Sequence, residues 1–575
     1  MVNRLQALKS TAGIHGVAFL LGFQPKSLAY ILYKMTDAAK YSQFQISKRS
    51  GGSRTIKAPS AELKHLQSRL SDLLQDCISD INTARRVSSS IAHGFRRNCS
   101  IVSNANEHKH KRYVFNLDLS DFFDTINFGR VRGFFISNRN FQLDPATATI
   151  LAQIACHNNA LPQGSPCSPV ISNLVGHILD IRLAALAADY GCDYSRYADD
   201  LTFSTNKLRF PECIARIQED THIWEPGKKL RRAIERAGFQ INDSKTRMQY
   251  RQSRQDVTGL VVNEKVNTRI EYYREARSKC NALFQKGSFH NIVLSRSANG
   301  DLIETAVPGT VEQLNGVLSF IDFVKGSNKS SLKPAGSKKL TGPEALYSRF
   351  LLYRHFFINS RPIIICEGKT DNIYVRCAIK RLYKKYRSLA QLEDKQVKVR
   401  VQLFNYTETS ARVLGLGGGT GYFNDLIQRY RKERLKFKSS GESQPVIFLV
   451  DNDSGADCVF SAIKQSSGKK LVDKNEPFYW LGHNLYVVLT PRTGANGDTM
   501  IEDFFDESVR ATKLGGKTFN PHKGFDQNKQ YGKYLFAEHV IGKNQEKIDF
   551  SGFEPLLDRI TAVLKDNKKR IKAAA

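Results

Sequence analysis

The groups in this sequence best suited to chemistry are acidic residues placed at the ends of apolar runs. Across Tyr113 to Ser120, alternation puts Val114, Asn116 and Asp118 on one face of a strand and Phe115, Leu117 and Leu119 on the other. Asp118 therefore ends a strand with an apolar back. In CDYSRYADDLTFS the alternation breaks at Asp199 and Asp200, as at a tight hairpin tip. Carboxylates converging from two strand ends repel one another and are sensible only around cations; two Mg²⁺ about 3.5–4 Å apart would neutralise them and drive in-line phosphoryl transfer. An Asp-Asp pair taken alone reads more simply as a solvated turn.

A second acidic set lies downstream. PIIICEGKTDNIYVRCAIKRL reads as a buried strand ending at Glu367, a turn through Gly368 and a helix from near Asp371. VIFLVDNDSG repeats the arrangement, with Asp451 and Asp453 two apart at the carboxyl end of a strand, where open α/β sheets put their sites. A third strand, NLYVVLTP, precedes Glu502 in MIEDFF, so three acidic sources would surround one crevice.

These sites need two frameworks. The one clear composition break is Lys325 to Pro343, rich in Lys, Ser and Gly and without an apolar period. Before it, helical stretches alternate with short β-rich runs (α+β); after it, strands alternate with helices (α/β). The expected division is 1–258 and 259–324, a linker at 325–343, and 344–575. The 575 residues carry a net charge of +31, split +18 before residue 351 and +13 after it, which suggests that both parts face a polyanion. Ten cysteines show no Cys-x-x-Cys pair or zinc spacing, and the short apolar run at the N-terminus is interrupted by Gly and His. The expectation is a cytoplasmic protein with reduced cysteines and no membrane span.

Within the first part the chain resembles a reverse transcriptase. NLDLSDFFDTI is similar to the first catalytic motif, LPQGSPCSPVISNLV to the template and nucleotide segment, and Tyr197-Ala198-Asp199-Asp200 to the palm hairpin, in family order. GFQINDSKT resembles the next palm motif, and SKRSGGSRTIKAPSAELKHLQ the fingers entry. The resemblance implies a right-hand fold with fingers and palm at 1–258 and thumb at 259–324. It makes Asp118, Asp199 and Asp200 the catalytic, Mg²⁺-holding carboxylates. It also implies that Phe123 crowds the sugar 2′ carbon and favours deoxynucleotides, with Phe122 or Phe123 in the core, and that Gln163 and Gly164 approach the template or incoming base. Lys245 would assist pyrophosphate departure, unless it is a surface lysine. Asn104-Ala105-x-x-His108 and Val257-Thr258-Gly259-Leu260 resemble paired signatures of retron reverse transcriptases, although His108 also reads as a hydrogen-bonded structural histidine. The retron resemblance implies copying of a structured noncoding RNA into branched multicopy single-stranded DNA, primed from a 2′-hydroxyl, with that RNA, its DNA copy and dNTPs as partners. On the thumb, Arg269, Arg274, Arg277 and Lys279 are candidates for phosphate contacts.

The second part resembles a Toprim domain, with Glu367-Gly368 and Asp451-Asn452-Asp453 as its motifs, closest to the branch of the overcoming-lysogenization-defect nucleases. The resemblance implies a metal-dependent nuclease in which Glu367, Asp451, Asp453 and Glu502 hold Mg²⁺ and act on a nucleic-acid substrate. Lys533 is a candidate transition-state cation. The glycine run LGLGGGTGYF fails both G-x-x-x-x-G-K-[ST] and G-x-G-x-x-G, so no ATP site is assigned; a tight turn near the acidic crevice fits it better. The joint expectation is a retron polymerase fused to a nuclease effector of antiphage defence. Two alternatives are a mobile-element reverse transcriptase whose Toprim domain processes its own cDNA or target DNA, and a scaffold that only binds RNA. A homo-oligomer is compatible with the sequence.

Overall fold

The computed structural model describes residues 3–47, 52–86, 90–218, 223–296, 302–327, 340–417, 419–468, 471–492, 497–522 and 524–574. Most of the expected linker, residues 48–51 of the fingers entry and Gly418 of the glycine run lie outside them. The chain forms two compact units, one from Met1–Arg269 with Val324–Asn328, the other from Ile270–Phe323 with Lys329–Ala575.

Unit 1 is built on a four-stranded antiparallel sheet in the order Asp193–Tyr197, Asp200–Thr205, Tyr113–Ser120, Gln240–Tyr250. Alternation along the third of these sends Phe115, Leu117 and Leu119 into the core, together with Leu201 and Phe203 of its neighbour. Helices Ser168–Asp189 and Ala61–Arg85 close that core through Ile171, Val175, Leu179, Leu66 and Leu70. Ser168–Asp189 is the one helix among the described residues long and apolar enough to cross a bilayer, and it is packed inside this unit with its Asp180 buried. A hairpin of Tyr41–Ser47 and Ser53–Pro59 lies where the sequence suggested a fingers entry; the Lys57 N–H donates to the Gln163 carbonyl at 2.8 Å.

Unit 2 holds a five-stranded sheet in the order Gln402–Leu403, Ile363–Cys366, Val446–Val450, Leu485–Leu489, Tyr479–Trp480, parallel except for the last strand. Both faces are covered, as continuous apolar runs require. Ile363, Ile365, Val446, Phe448, Val487 and Leu489 join one core. Ile364, Cys366, Ile447, Leu449 and Val488 join the other.

The first of these cores also contains Ala276, Cys280, Leu283, Phe284, Leu314 and Leu318, from the segment expected as a thumb. The compact units part at Arg269, before helix Ile270–Lys286, and again near the start of the Lys325–Pro343 composition break. A linker is chosen by polarity and a core by apolar contact, and the second criterion adds a division at Arg269 that polarity does not mark.

Candidate active site

In unit 1, Asp118 and Asp200 are direct partners across neighbouring antiparallel strands, so their side chains share a face. Asp199 sits in the turn before Asp200 and its carbonyl accepts the Leu119 N–H at 3.0 Å, which brings the three carboxyls together. Burial and then neighbouring charge raise the pKa values of two of them: Asp199 feels Asp118, and Asp200 is pushed up to about 6 by burial, Asp199 and Asp118. Lys245, Arg54 and Arg247 act in the opposite sense on the pair.

Lys245 reaches Asp118 because of an irregularity. Strand Gln240–Tyr250 pairs Asn242 with Asp118 but Arg247 with Asn116, so its extra residues bulge. The bulge brings the Lys245 ammonium 3.1 and 3.0 Å from the two Asp118 oxygens. Of the aromatic pair, Phe122 is core, stacked on Phe239 at 5.4 Å, whereas Phe123 is half-buried against Phe95. Gly164 has φ +124°, and a Cβ there would lie 2.6 Å from the Lys57 carbonyl oxygen, so its backbone closely approaches the hairpin of Tyr41–Ser47 and Ser53–Pro59 in this same chain.

Two buried networks hold the hairpin, and sequence reading missed the first. Arg196 is fully buried and forms a bidentate pair with Asp180 through Nε and Nη2, both bonds 2.7 Å, while Nη1 donates to the Asn173 side chain at 3.2 Å and to the Ala198 carbonyl at 3.0 Å. Ala198 has φ +58°, a conformation strained for a residue with a Cβ, at the turn that carries Asp199. Gly176 leaves room for the guanidinium, because a Cβ there would stand 3.1 Å from it. The available signal was an Arg beside the hairpin motif and an Asp inside an otherwise apolar helix. In the second network His108 bonds Ser204 and Ser195, each at 2.7 Å, and Ser195 donates to Asn104 at 2.7 Å. His108 thus joins both hairpin strands to helix Ile101–Asn106. The Thr258 hydroxyl donates to the Ile101 carbonyl of that helix at 3.2 Å, so the two retron-like signatures meet.

In unit 2 the acidic residues gather at the carboxyl ends of the parallel strands. The Asp451 N–H donates to Glu367 at 3.3 Å, and the Ile501 N–H donates to Asp451 at 3.0 Å. Lys533 bonds Glu502 at 2.9 Å. Glu502 is 1% exposed, and its second oxygen, buried, has no hydrogen-bond partner. Asp451 is pushed up to about 9 by burial and by Asp371, Glu502 and Glu367. Asp371 belongs to the cluster although the sequence pointed to it only as a helix start; it accepts the Gly368 N–H at 2.7 Å, where a Cβ would collide with it. The Gly419 N–H donates to the Glu367 carbonyl at 2.9 Å, which brings the glycine run to this crevice. The Asp453 carboxylate accepts from Gly455 N–H at 2.8 Å.

Both clusters offer only hard oxygen donors, the set that suits Mg²⁺. In unit 2 the unpartnered Glu502 oxygen fits such a cation as well. As the side chains stand, Lys245 and Lys533 engage the carboxylates, and among the described residues no three acidic, His or Cys groups are arranged to hold one ion.

An antiparallel sheet presenting Asp118, Asp199 and Asp200 from a strand end and an adjoining hairpin defines unit 1 as the palm of a right-hand nucleic-acid polymerase. Residues 46–262 match the family model of reverse transcriptase (RNA-dependent DNA polymerase). The chain is 32% identical over 311 residues to the retron Ec86 reverse transcriptase of Escherichia coli, covering 54% of this chain and 83% of that protein. It is 35% identical over 262 residues to the retron Mx65 reverse transcriptase of Myxococcus xanthus, covering 42% of this chain and 57% of that one. The chain thus spans little more than half the length of the Myxococcus relative. A solved telomerase from Candida albicans aligns at 11% identity over 50% of this chain and 56% of its own, with a TM-score of 0.28. This chain belongs to the retron reverse transcriptase family.

Proposed function

We propose that unit 1 is an RNA-directed DNA polymerase of retron type. It copies a structured noncoding RNA into branched, 2′-hydroxyl-primed multicopy DNA. The observation that carries this reading is the pairing of Asp118 with Asp200 beside the Asp199 turn. Asp118 and Asp199 are the groups that would hold Mg²⁺, with Asp200 in support; when bound, the metal supplies charge neutralisation and activation of the attacking hydroxyl. Phe123 borders the sugar position and disfavours a 2′-hydroxyl. Lys245, on Asp118, is placed to meet charge on the departing pyrophosphate. Arg196 and His108 keep the hairpin in one geometry, which is where much of a positioning-dominated catalyst's rate comes from.

Unit 2, in the same proposal, is a Toprim-type nuclease acting in antiphage defence in the cytoplasm. Glu367, Asp451, Asp453 and Glu502, with Asp371, would hold Mg²⁺ for phosphodiester cleavage, and Lys533 would face the scissile phosphate. Support comes from the convergence of these groups at the strand ends and from the unpartnered Glu502 oxygen. One chain gives maker and effector a high effective concentration for each other, so retained RNA–DNA restrains the nuclease until infection disturbs it.

The deciding experiment purifies the full chain with its nucleic acid and sequences it. A single short DNA joined to RNA by a 2′ bond is expected, lost in Asp199→Asn and kept in Glu367→Ala, with toxicity lost in the latter. Heterogeneous cDNA or target DNA would favour the mobile-element reading, RNA alone would favour a binding scaffold, and a toxic Glu367→Ala would remove the nuclease.

A further inference from the structure

Phe95 is held in a conformation that its own residue type resists. It has φ +57°, in the left-handed region where a bulky side chain is an outlier, and its ring is 42% exposed. Neither feature stabilises the chain, and strain of this kind persists only where the surroundings over-determine it. Here they do. The Arg196 N–H donates to the Ile91 carbonyl at 2.9 Å and the His93 N–H donates to the Arg196 carbonyl at 2.8 Å, which lays residues 91–93 along the hairpin strand Asp193–Tyr197. The Asn173 amide donates to the Gly94 carbonyl at 2.6 Å, and a Cβ at Gly94 would stand 2.6 Å from the Ala198 nitrogen, so the chain is pressed against the hairpin tip. The Gln75 amide then fixes the Phe95 carbonyl at 2.9 Å.

The ring so placed lies 6.3 Å from Phe123 and 6.4 Å from Tyr197 between centroids, within the range of interacting aromatic pairs. Phe123 also meets Phe122 edge-on at 5.5 Å. We propose that Phe95 is a positioning residue for sugar selection, bracing Phe123 at the place of the incoming sugar; the inference rests on the reading of Phe123 given above. Discrimination by clash works only while the clashing side chain cannot yield. Phe122 supports Phe123 from within the core, and Phe95 supports it from outside that core. Burial does not lock Phe95, which with Ile78, Ile81 and Leu174 lines a cavity of about 210 Å³. The pinned, strained backbone is what keeps its ring on Phe123.

The test measures kcat/KM of the full chain for dTTP and for UTP with a DNA primer on an RNA template. Phe95→Ala is expected to lower the dTTP-to-UTP ratio by about 3- to 10-fold, the size that one aromatic pair can supply, through better use of UTP. Phe95→Leu, which keeps apolar bulk, should lose less. Phe95→Gly removes ring and strain together, so it should melt close to the parent protein while losing the ratio as the alanine variant does. Because Phe95 acts through Phe123, Phe95→Ala/Phe123→Ala should lower the ratio no further than Phe123→Ala alone. An unchanged ratio in Phe123→Ala would sink the sugar-contact reading itself. A ratio that falls in Phe123→Ala but holds in Phe95→Ala and Phe95→Gly overturns the brace alone. Additive losses in the double variant also overturn it, since Phe95 would then act apart from Phe123.

Discussion

Arg196 sits out of water entirely, and a buried guanidinium is tolerable only while its donors are met. Asp180, Asn173 and the Ala198 carbonyl meet them. Arg196→Met alone strands the Asp180 charge and is expected to cost about 3–5 kcal/mol. Arg196→Met/Asp180→Leu removes both charges and should recover most of that loss in thermal unfolding, yet nothing then holds the Ala198 carbonyl. Its kcat is expected to stay down by about 100-fold with KM for dNTPs little changed, since a displacement near 1 Å is enough for such a loss. Recovery of both stability and kcat would reduce Arg196 to packing. Asp451 gives the opposite trade. Its folded pKa, about 9, is far above the ordinary carboxyl value of 3.8, so its stability contribution is present at acid pH and drains away as pH rises from about 4 to about 9. Asp451→Asn in EDTA at pH 8 should therefore melt above the parent protein, by about 0.5–2 kcal/mol, while losing any nuclease activity. A lower melting temperature in EDTA would contradict the crowded-charge account.

At the scale of elements, helix Ile101–Asn106 and the turn at Thr258 are joined to the hairpin that carries Asp199 and Asp200 through His108. Burial, with Lys111 and His93 nearby, pushes His108 down to about 3, so the folded protein holds it neutral. The unfolded chain takes up this proton near pH 6.5, so stability is full above that pH and falls as pH drops towards 3, by up to roughly 5 kcal/mol. His108→Gln should flatten that part of the stability curve for unit 1 by one proton; an unchanged slope would place the acid sensitivity elsewhere. The strands and their carboxylates were legible because alternation and apolar runs are local: Asp118, Asp199, Glu367 and Asp451 all fall at strand ends or the hairpin tip, as the pattern requires. Arg196 with Asp180, and the joining of Asn104, His108 and Thr258, are long-range pairings with no sequence period to reveal them. Asp371 was visible only as a helix start, because its role depends on Gly368 turning the chain back towards it. The fingers backbone beside Gly164 was hidden for the same reason: a glycine declares a close approach but not what approaches.

At the scale of the whole molecule, the positive charge that suggested two polyanion-facing parts is spread over both units, but the boundary between those units is set by apolar contact. Ala276, Cys280, Leu283, Phe284, Leu314 and Leu318 are buried in a core shared with Phe350, Tyr353 and Phe448. A fragment ending at residue 324, where composition suggests a natural cut, would keep these six side chains and lose the partners that cover them. At about 1.5–3 kcal/mol for each large apolar side chain left in water, the deficit rivals the total stability of an ordinary domain. The fragment is therefore expected to show dye-accessible apolar surface and rapid hydrogen exchange across 270–323, with slow exchange retained across the palm strands 113–120 and 200–205. A fragment with a fully protected 270–323 segment would mean that this segment folds without the second unit. The contrast bears on the proposed coupling of polymerase and nuclease: the helix positioned where a polymerase thumb is expected in sequence is, by its core, part of the unit that carries the second acidic site.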